Sequence, residues 1–252
     1  MASRTDASGV AVPSRVDPDA RGGLRLTLAA VAALLVAVPF ALLLLLVVNS
    51  WGPLQRLDVR LDEDLNSFAF HHSGYVSVLR GVTNAGGPVS FEVVSALVAV
   101  VLLVRRQPRL AVWMLVTVFG GELLSRIVKQ AVGRERPRLP HPVAHAMSTS
   151  FPSGHALGAV VGVGTLLLVG LPYARRSLRP CLIVLGVLVV LAVGFSRLGL
   201  GVHYLSDVLG GYILGAGWLA ATTAAFSAWR RDIGRGPRPV TQGLEPAAPE
   251  QA

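Results

Sequence analysis

Two histidines, one aspartate and three cations carry the chemistry open to this sequence. Lys129 and Arg136 follow one apolar run, Pro152-Ser153-Gly154-His155 opens the next, and Ser196-Arg197 leads through His203 to Asp207 at the head of the last. Arginine's planar fork matches phosphate oxygens two at a time, and lysine adds a compact point charge. Lys129, Arg136 and Arg197 together therefore imply a strongly anionic ligand. Ser153 and Gly154 fall where a helix begins, and the N–H groups and dipole of a helix start favour an anion. Ser153 also suits the simpler role of N-cap, which is compatible with the first.

His203 and Asp207 are spaced by one helical turn, which puts them on a shared face. The carboxylate can then hold one imidazole nitrogen, fix the tautomer and leave the other nitrogen to attack. His155, beside the same anion, supplies a general acid. Taken singly, each histidine reads as structural; together with three cations and a helix start they read as a site.

These residues need elements that bring them together, and the composition says which kind. Hydrophobic residues make up 52% of the 252 and charged ones only 15%, where a soluble domain carries about 25% charged. That argues against a water-soluble globule and against a wholly disordered chain. The single cysteine, Cys181, rules out an intrachain disulfide framework and a cysteine-built zinc site. Apolar runs of membrane-crossing character occur at 24–48, 88–104, 110–128, 154–171, 182–195 and 208–226. The expected fold is therefore all-α, a bundle of six transmembrane helices with the site at their outer ends. The first run is too long for a signal-peptide core and is read as a retained helix, with Pro39 tolerated within it.

The net charge of +9 tests this topology. With both termini cytoplasmic, fourteen of the 23 basic residues fall in residues 1–25, in the tail from Arg230 and in two short inner loops, Arg105–Arg109 and Pro172–Pro180. The basic surplus is thus mainly a topology signal, and no nucleic-acid partner is expected. The exception, the basic cluster from Arg126 to Arg138, lies on the outer side with the three segments named above. Within it, Arg134 and Arg138 suit either a second phosphate or headgroup, or a solvated loop. Glu122 and Arg126 read as an internal ion pair supporting Lys129.

The remaining organisation is simpler. Residues 1–23 and 230–252 read as disordered cytoplasmic tails flanking a membrane domain over 24–229. The outer loop 49–87 contains an amphipathic helix, with Leu57, Leu61, Leu65 and Phe68 as its apolar stripe and Asp58, Asp62, Glu63 and Asp64 as a solvated face. Glycines 210, 211, 215 and 217 read as close helix packing.

The three segments resemble the signature of the type 2 phosphatidic acid phosphatase superfamily: Lys-x6-Arg-Pro, Pro-Ser-Gly-His, and Ser-Arg-x5-His-x3-Asp. Lys129, Arg136 and Pro137 match the first part, Pro152 to His155 the second, and Ser196, Arg197, His203 and Asp207 the third, eleven positions in order. The resemblance implies a phosphatase of membrane lipids that needs no metal or other cofactor. It implies His203 as a nucleophile forming a phosphohistidine, Asp207 orienting it, and His155 protonating the leaving group. Lys129, Arg136, Arg197 and the backbone of Ser153 and Gly154 would hold the phosphate oxygens. Expected substrates are undecaprenyl pyrophosphate, phosphatidylglycerophosphate or phosphatidic acid. Transfer of the phosphoryl group to another acceptor, or non-catalytic lipid binding or flipping, are the alternatives.

Overall fold

The computed structural model describes residues 34–232, with side chains to residue 227. Most of both expected tails, and the first part of the first apolar run, lie outside the described residues. The chain divides into residues 1–35 and 36–252; of the first unit only Leu34 and Leu35, at the start of α1, are described. Every described regular element is helical: α1 (Leu34–Val48), α2 (Gly52–His71), α3 (Ser73–Ala85), α4 (Pro88–Val104), α5 (Pro108–Val132), α6 (Gly154–Gly170), α7 (Arg179–Gly199) and α8 (Leu205–Asp232), with short 3-10 turns between α6 and α7. Among the described residues, five candidate spans are long and apolar enough to cross a membrane, α3 and α4 counting as one, or six if α1 and α2, bent by 83°, form a broken span.

The five expected spans at 88–104, 110–128, 154–171, 182–195 and 208–226 are present, and α5, α7 and α8 run longer than the apolar stretches that announced them; of the first expected span only Leu34–Val48 lies within the described residues. Proline starts α4, α5 and α7 at the first helical positions, where its missing N–H costs no hydrogen bond. α5 continues to Val132 and so carries Lys129 in its last turn, while α7 continues to Gly199 and carries Ser196 and Arg197. Residues 49–87 hold two helices, α2 and α3, where one was expected, and α3 runs on with α4 as one candidate span.

α6 sits at the centre, packed against α4, α5, α7 and α8. Its tightest neighbour is α8, and glycine makes that possible. A Cβ on Gly211 would stand 2.6 Å from the Ser153 carbonyl, and one on Gly215 would stand 3.0 Å from that of Leu157. Between lipid-embedded helices, where apolar burial supplies little drive, such small-residue contacts let backbones approach. Far from the site, Trp113, Met114, Leu168, Val169 and Phe226 make the largest apolar cluster. The outward sides of α4 and α7 present exposed valines and leucines such as Val89, Leu97, Leu185 and Leu188, as lipid-facing helices do.

One expectation is overturned. On α2 the buried residues are Asp58, Asp62, Asn66 and Ala69, whereas Leu57 and Phe68 are half exposed. The helix is amphipathic, but Asp58 and Asp62 point inward instead of forming the solvated face with Glu63 and Asp64. The reason lies in what each part of the stripe meets: Asp58 closes on Ser206 at the polar head of α8, while Ala69 joins the apolar cluster of Val76, Leu79, Leu200 and Val202. The Glu122–Arg126 pair forms at 3.0 Å, but Arg126 is 69% exposed; it is a surface pair on α5, not an internal one.

Candidate active site

Four helix ends meet at one end of the bundle. Gly133, with φ +63°, ends α5 in the left-handed conformation and returns its N–H to the Lys129 carbonyl, a stop that glycine makes without strain. The chain from 134 to 153 then crosses the helix ends without regular structure. It is pinned by Ser150 N–H to the Arg134 carbonyl at 2.8 Å and by Thr149 Oγ1 donating to the Lys129 carbonyl at 3.1 Å. Ser153 caps α6, its hydroxyl accepting from Ala156 N–H. Its own N–H donates to the Asp207 carbonyl at 2.9 Å, tying the start of α6 to the start of α8. The Ser153 amide is thus spent, and the first-turn N–H groups that remain for an anion are those of Gly154 and His155.

His203 precedes α8 and is 2% exposed; Asp207, in the first turn, is fully buried. His203 Nδ1 lies 3.5 Å from Asp207 Oδ2, longer than a hydrogen bond but on the expected side. Arg136 Nη1 lies 3.2 Å from His203 Nε2. A guanidinium can only donate, so Nε2 is the unprotonated nitrogen and the proton sits on Nδ1 facing the carboxylate. Burial pushes the imidazole down from its ordinary 6.5 to about 4; Asp207 raises it, and Arg136 and Arg197 lower it further. His203 is neutral at physiological pH, with its free lone pair facing the cations.

Those cations converge. Lys129 Nζ donates to the Thr149 carbonyl at 2.7 Å, and Arg136 to the carbonyls of Ser148 and Val202. Arg197, buried, donates from Nη1 to Thr83 Oγ1 at 2.7 Å, and its Nε has no partner. A buried guanidinium N–H without an acceptor is costly, and an anionic oxygen would be a favourable partner for it. His155 lies within electrostatic reach of Arg197, His203, Arg136 and Lys129, and its Nε2 stands 3.6 Å from where a Cβ on Gly87 would be. All eight sequence-derived site residues are therefore brought to one end of the bundle. Among the described residues, no group of three or more His, Cys, Asp or Glu is arranged to hold a metal ion.

Several neighbours were not foreseen. Thr83, on α3, holds Arg197 in place. Ser150 Oγ and the Tyr204 N–H both donate to Asp207 Oδ2. Arg134 is not a solvated loop charge. It bridges Asp207 Oδ1 at 2.6 Å and Asp58 Oδ2 at 2.9 Å, with its guanidinium 4.3 Å above the Tyr204 ring. Burial alone would lower its pKa, and the two carboxylates more than offset that. Arg138 is exposed and pairs with Glu135. A cavity of about 450 Å³ opens beside Arg136, walled by Leu46, Trp51 and Leu54 on one side and by Arg134, Arg138 and Tyr204 on the other.

An all-helical membrane bundle with phosphate-suited cations around a paired histidine defines a recognisable class. The family model of the PAP2 superfamily matches residues 110–231. Phosphatidylglycerophosphatase B of Bacillus subtilis is 40% identical over 106 residues, 40% of this chain and 51% of that one. Decaprenylphosphoryl-5-phosphoribose phosphatase of Mycobacterium tuberculosis is 32% identical over 150 residues, 57% of this chain and 76% of that one. The solved structure of a transmembrane PAP2 type phosphatidylglycerolphosphate phosphatase from Bacillus subtilis shares the fold, with a TM-score of 0.62 and 24% identity over 79% of this chain and 97% of that one. The match spans about half the length of curated relatives such as phosphatidylglycerophosphatase B and the lipid A 1-phosphatase of Rhizobium etli. The chain belongs to the PAP2 superfamily and is a multi-pass membrane protein.

Proposed function

We propose that this protein is an integral membrane lipid phosphatase, hydrolysing a phosphomonoester or pyrophosphate of a membrane lipid through a phosphohistidine. His203 Nε2 attacks phosphorus and the P–O bond to the leaving group breaks. His155 gives its proton to the departing oxygen, and then takes one from the water that hydrolyses the P–N bond. Asp207 holds Nδ1–H and stabilises the charge that grows on the ring. Lys129, Arg136, Arg197, the Ser153 hydroxyl and the Gly154 amide bind the non-bridging oxygens, and their fixed charges do the electrostatic work for which other phosphatases recruit a divalent ion. The observation that carries this reading is the buried His203 ring set between Asp207, 3.5 Å from Nδ1, and Arg136, 3.2 Å from Nε2.

The amphipathic cavity beside Arg136 suits a substrate with an anionic head and an apolar body. Relatives acting on phosphatidylglycerophosphate and on undecaprenyl diphosphate support both of these as substrates, with phosphatidic acid as a third. In this reading residues 24–229 form the catalytic membrane domain and both termini are cytoplasmic. The site then faces outward, as the basic inner loops favour. The test is phosphate release from these lipids by purified protein in chelator, with His203→Ala as the control. Release that persists in chelator and is lost in the variant is expected. No release from any of the lipids, or release that requires added magnesium, refutes the reading.

A further inference from the structure

We propose that Asp58 on α2 and Arg134 form a positioning pair that fixes Asp207, and through it His203, making the first outer helix part of the phosphoryl-transfer apparatus. The proposal rests on the reading of His203 as the attacking group. The residues concerned form a closed ring. Asp58 Oδ1 accepts the Ser206 N–H at 3.0 Å, and Oδ2 accepts from Arg134 Nη2 at 2.9 Å and from the Ser206 hydroxyl. Arg134 Nη1 donates to Ser206 Oγ at 2.7 Å and to Asp207 Oδ1 at 2.6 Å. Asp58, Ser206 and Asp207 are all fully buried.

Each link has a purpose in that ring. Asp207 must present Oδ2 to His203 while Oδ1 faces away. A carboxylate with one satisfied edge is free to turn about its terminal torsion, which is broad and roughly two-fold. Arg134 occupies the second edge and stops that rotation. Arg134 in turn needs a fixed direction, which Asp58 supplies by taking the other prong of the fork. Bidentate sharing of one guanidinium between two carboxylates fixes angles as well as distances. Asp58 also closes the first turn of α8 at Ser206, the residue beside Asp207. Its contribution comes from a segment of chain outside residues 110–231, the part that the family model covers.

The same helix supplies its own comparison. Asp62, one turn further on, is equally buried, yet neither of its oxygens has a hydrogen-bond partner. Burial of an acid on α2 is therefore separable from membership of the ring.

The test compares full-length Asp58→Asn, Arg134→Lys and Asp62→Asn in detergent, alongside wild type and His203→Ala. It measures kcat, KM, the inhibition constant of inorganic phosphate, and the unfolding midpoint. Lysine keeps the charge of Arg134 but cannot reach both carboxylates. Supporting groups of this kind are worth about 10- to 100-fold, so Asp58→Asn and Arg134→Lys should each lose that much kcat. KM and the phosphate constant should hold within about threefold, because phosphate binding lies with other residues. Asp62→Asn should retain kcat within about twofold of wild type.

A kcat near wild type in Asp58→Asn or Arg134→Lys overturns the proposal. So does an equal loss of kcat and phosphate affinity, which would mark general damage, or a matching loss in Asp62→Asn. Should Asp58→Asn fail to fold, Arg134→Lys decides alone. An inactive wild type refutes the phosphatase reading, and this one with it. An active wild type with an unaffected Asp58→Asn refutes only the pair.

Discussion

Replacing Asp207 by asparagine is the sharpest test of the proposed chemistry, because size is kept while the proton logic is reversed. Asp207 accepts from Arg134, from Ser150 and from the Tyr204 N–H, and faces His203 Nδ1. An asparagine cannot accept from all of these at once. With its carbonyl oxygen kept on Arg134, its amide N–H₂ points at His203 Nδ1. The imidazole then turns its lone pair to Nδ1 and its proton to Nε2, where that proton meets Arg136 Nη1, now 3.2 Å away. The nucleophilic lone pair is lost from the phosphate side and a donor faces a cation. In the serine proteases the equivalent change costs ~10⁴ in kcat through the same loss of tautomer. A longer His–Asp separation of 3.5 Å lowers the expectation here, to ~10³–10⁴ or ~4–5.5 kcal/mol of barrier. The assay is steady-state phosphate release in detergent micelles, with unfolding midpoints to establish that the variant folds. A folded Asp207→Asn enzyme that keeps more than about a tenth of wild-type kcat would refute the tautomer argument, because the carboxylate would then not govern the ring.

Four further outcomes are expected. Because His203 is held near 4 when folded against 6.5 when unfolded, the folded state binds fewer protons between those values. Stability is therefore full above pH 6.5 and is lost as pH falls through that window, by about 2 kcal/mol at pH 5; the drop in unfolding midpoint from pH 7 to 5 should be smaller in His203→Asn than in wild type. Thr83→Val removes the oxygen that accepts from Arg197 and should raise KM by about tenfold, since an unsatisfied charged donor costs ~1–3 kcal/mol; an unchanged KM would place Arg197 outside the phosphate site. Gly211→Ala puts a methyl group 2.6 Å from the Ser153 carbonyl and should lower stability by about 1–3 kcal/mol, read as a lower midpoint. Cys181, exposed near the start of α7, should resist a membrane-impermeant thiol reagent in intact cells and react after permeabilisation; labelling in intact cells would invert the proposed topology.

Most of the candidate-site residues were legible because they are tied to helix ends by short-range rules. Lys129 and Arg197 sit in last turns, Ser153 is an N-cap, and Asp207 falls one turn after His203. The loop charges bring those ends to one side. Residues that act by reaching across the fold left no such trace. Asp58 meets Ser206 across 148 positions of sequence, and no periodicity predicts a partner at that range. Thr83 was hidden for a similar reason: α3 is short, and a hydroxyl on a buried face looks like ordinary packing until Arg197 is seen against it. The spent Ser153 amide was also beyond reach, since its acceptor is a backbone carbonyl that any residue at 207 would carry.

The inversion of α2 shows where a sound rule takes the wrong sign. Hydrophobic periodicity locates a helix's faces but does not say which face is turned inward; that comes from the assumption that the interior is apolar. At the end of the bundle that holds the candidate site the interior is charged. There the stripe of Asp58, Asp62, Asn66 and Ala69 is the complementary one, while Leu57 and Phe68 turn to the surroundings that a membrane interface provides. The signal that could have fixed the sign was Arg134. A basic residue in a loop that also carries Arg136 needs an acid if it is to be buried, and of the acids on α2 it is Asp58, on the inward stripe, that pairs with it. An unpaired basic surplus near a proposed anion site is thus a reason to search the neighbouring amphipathic helix for acids facing in.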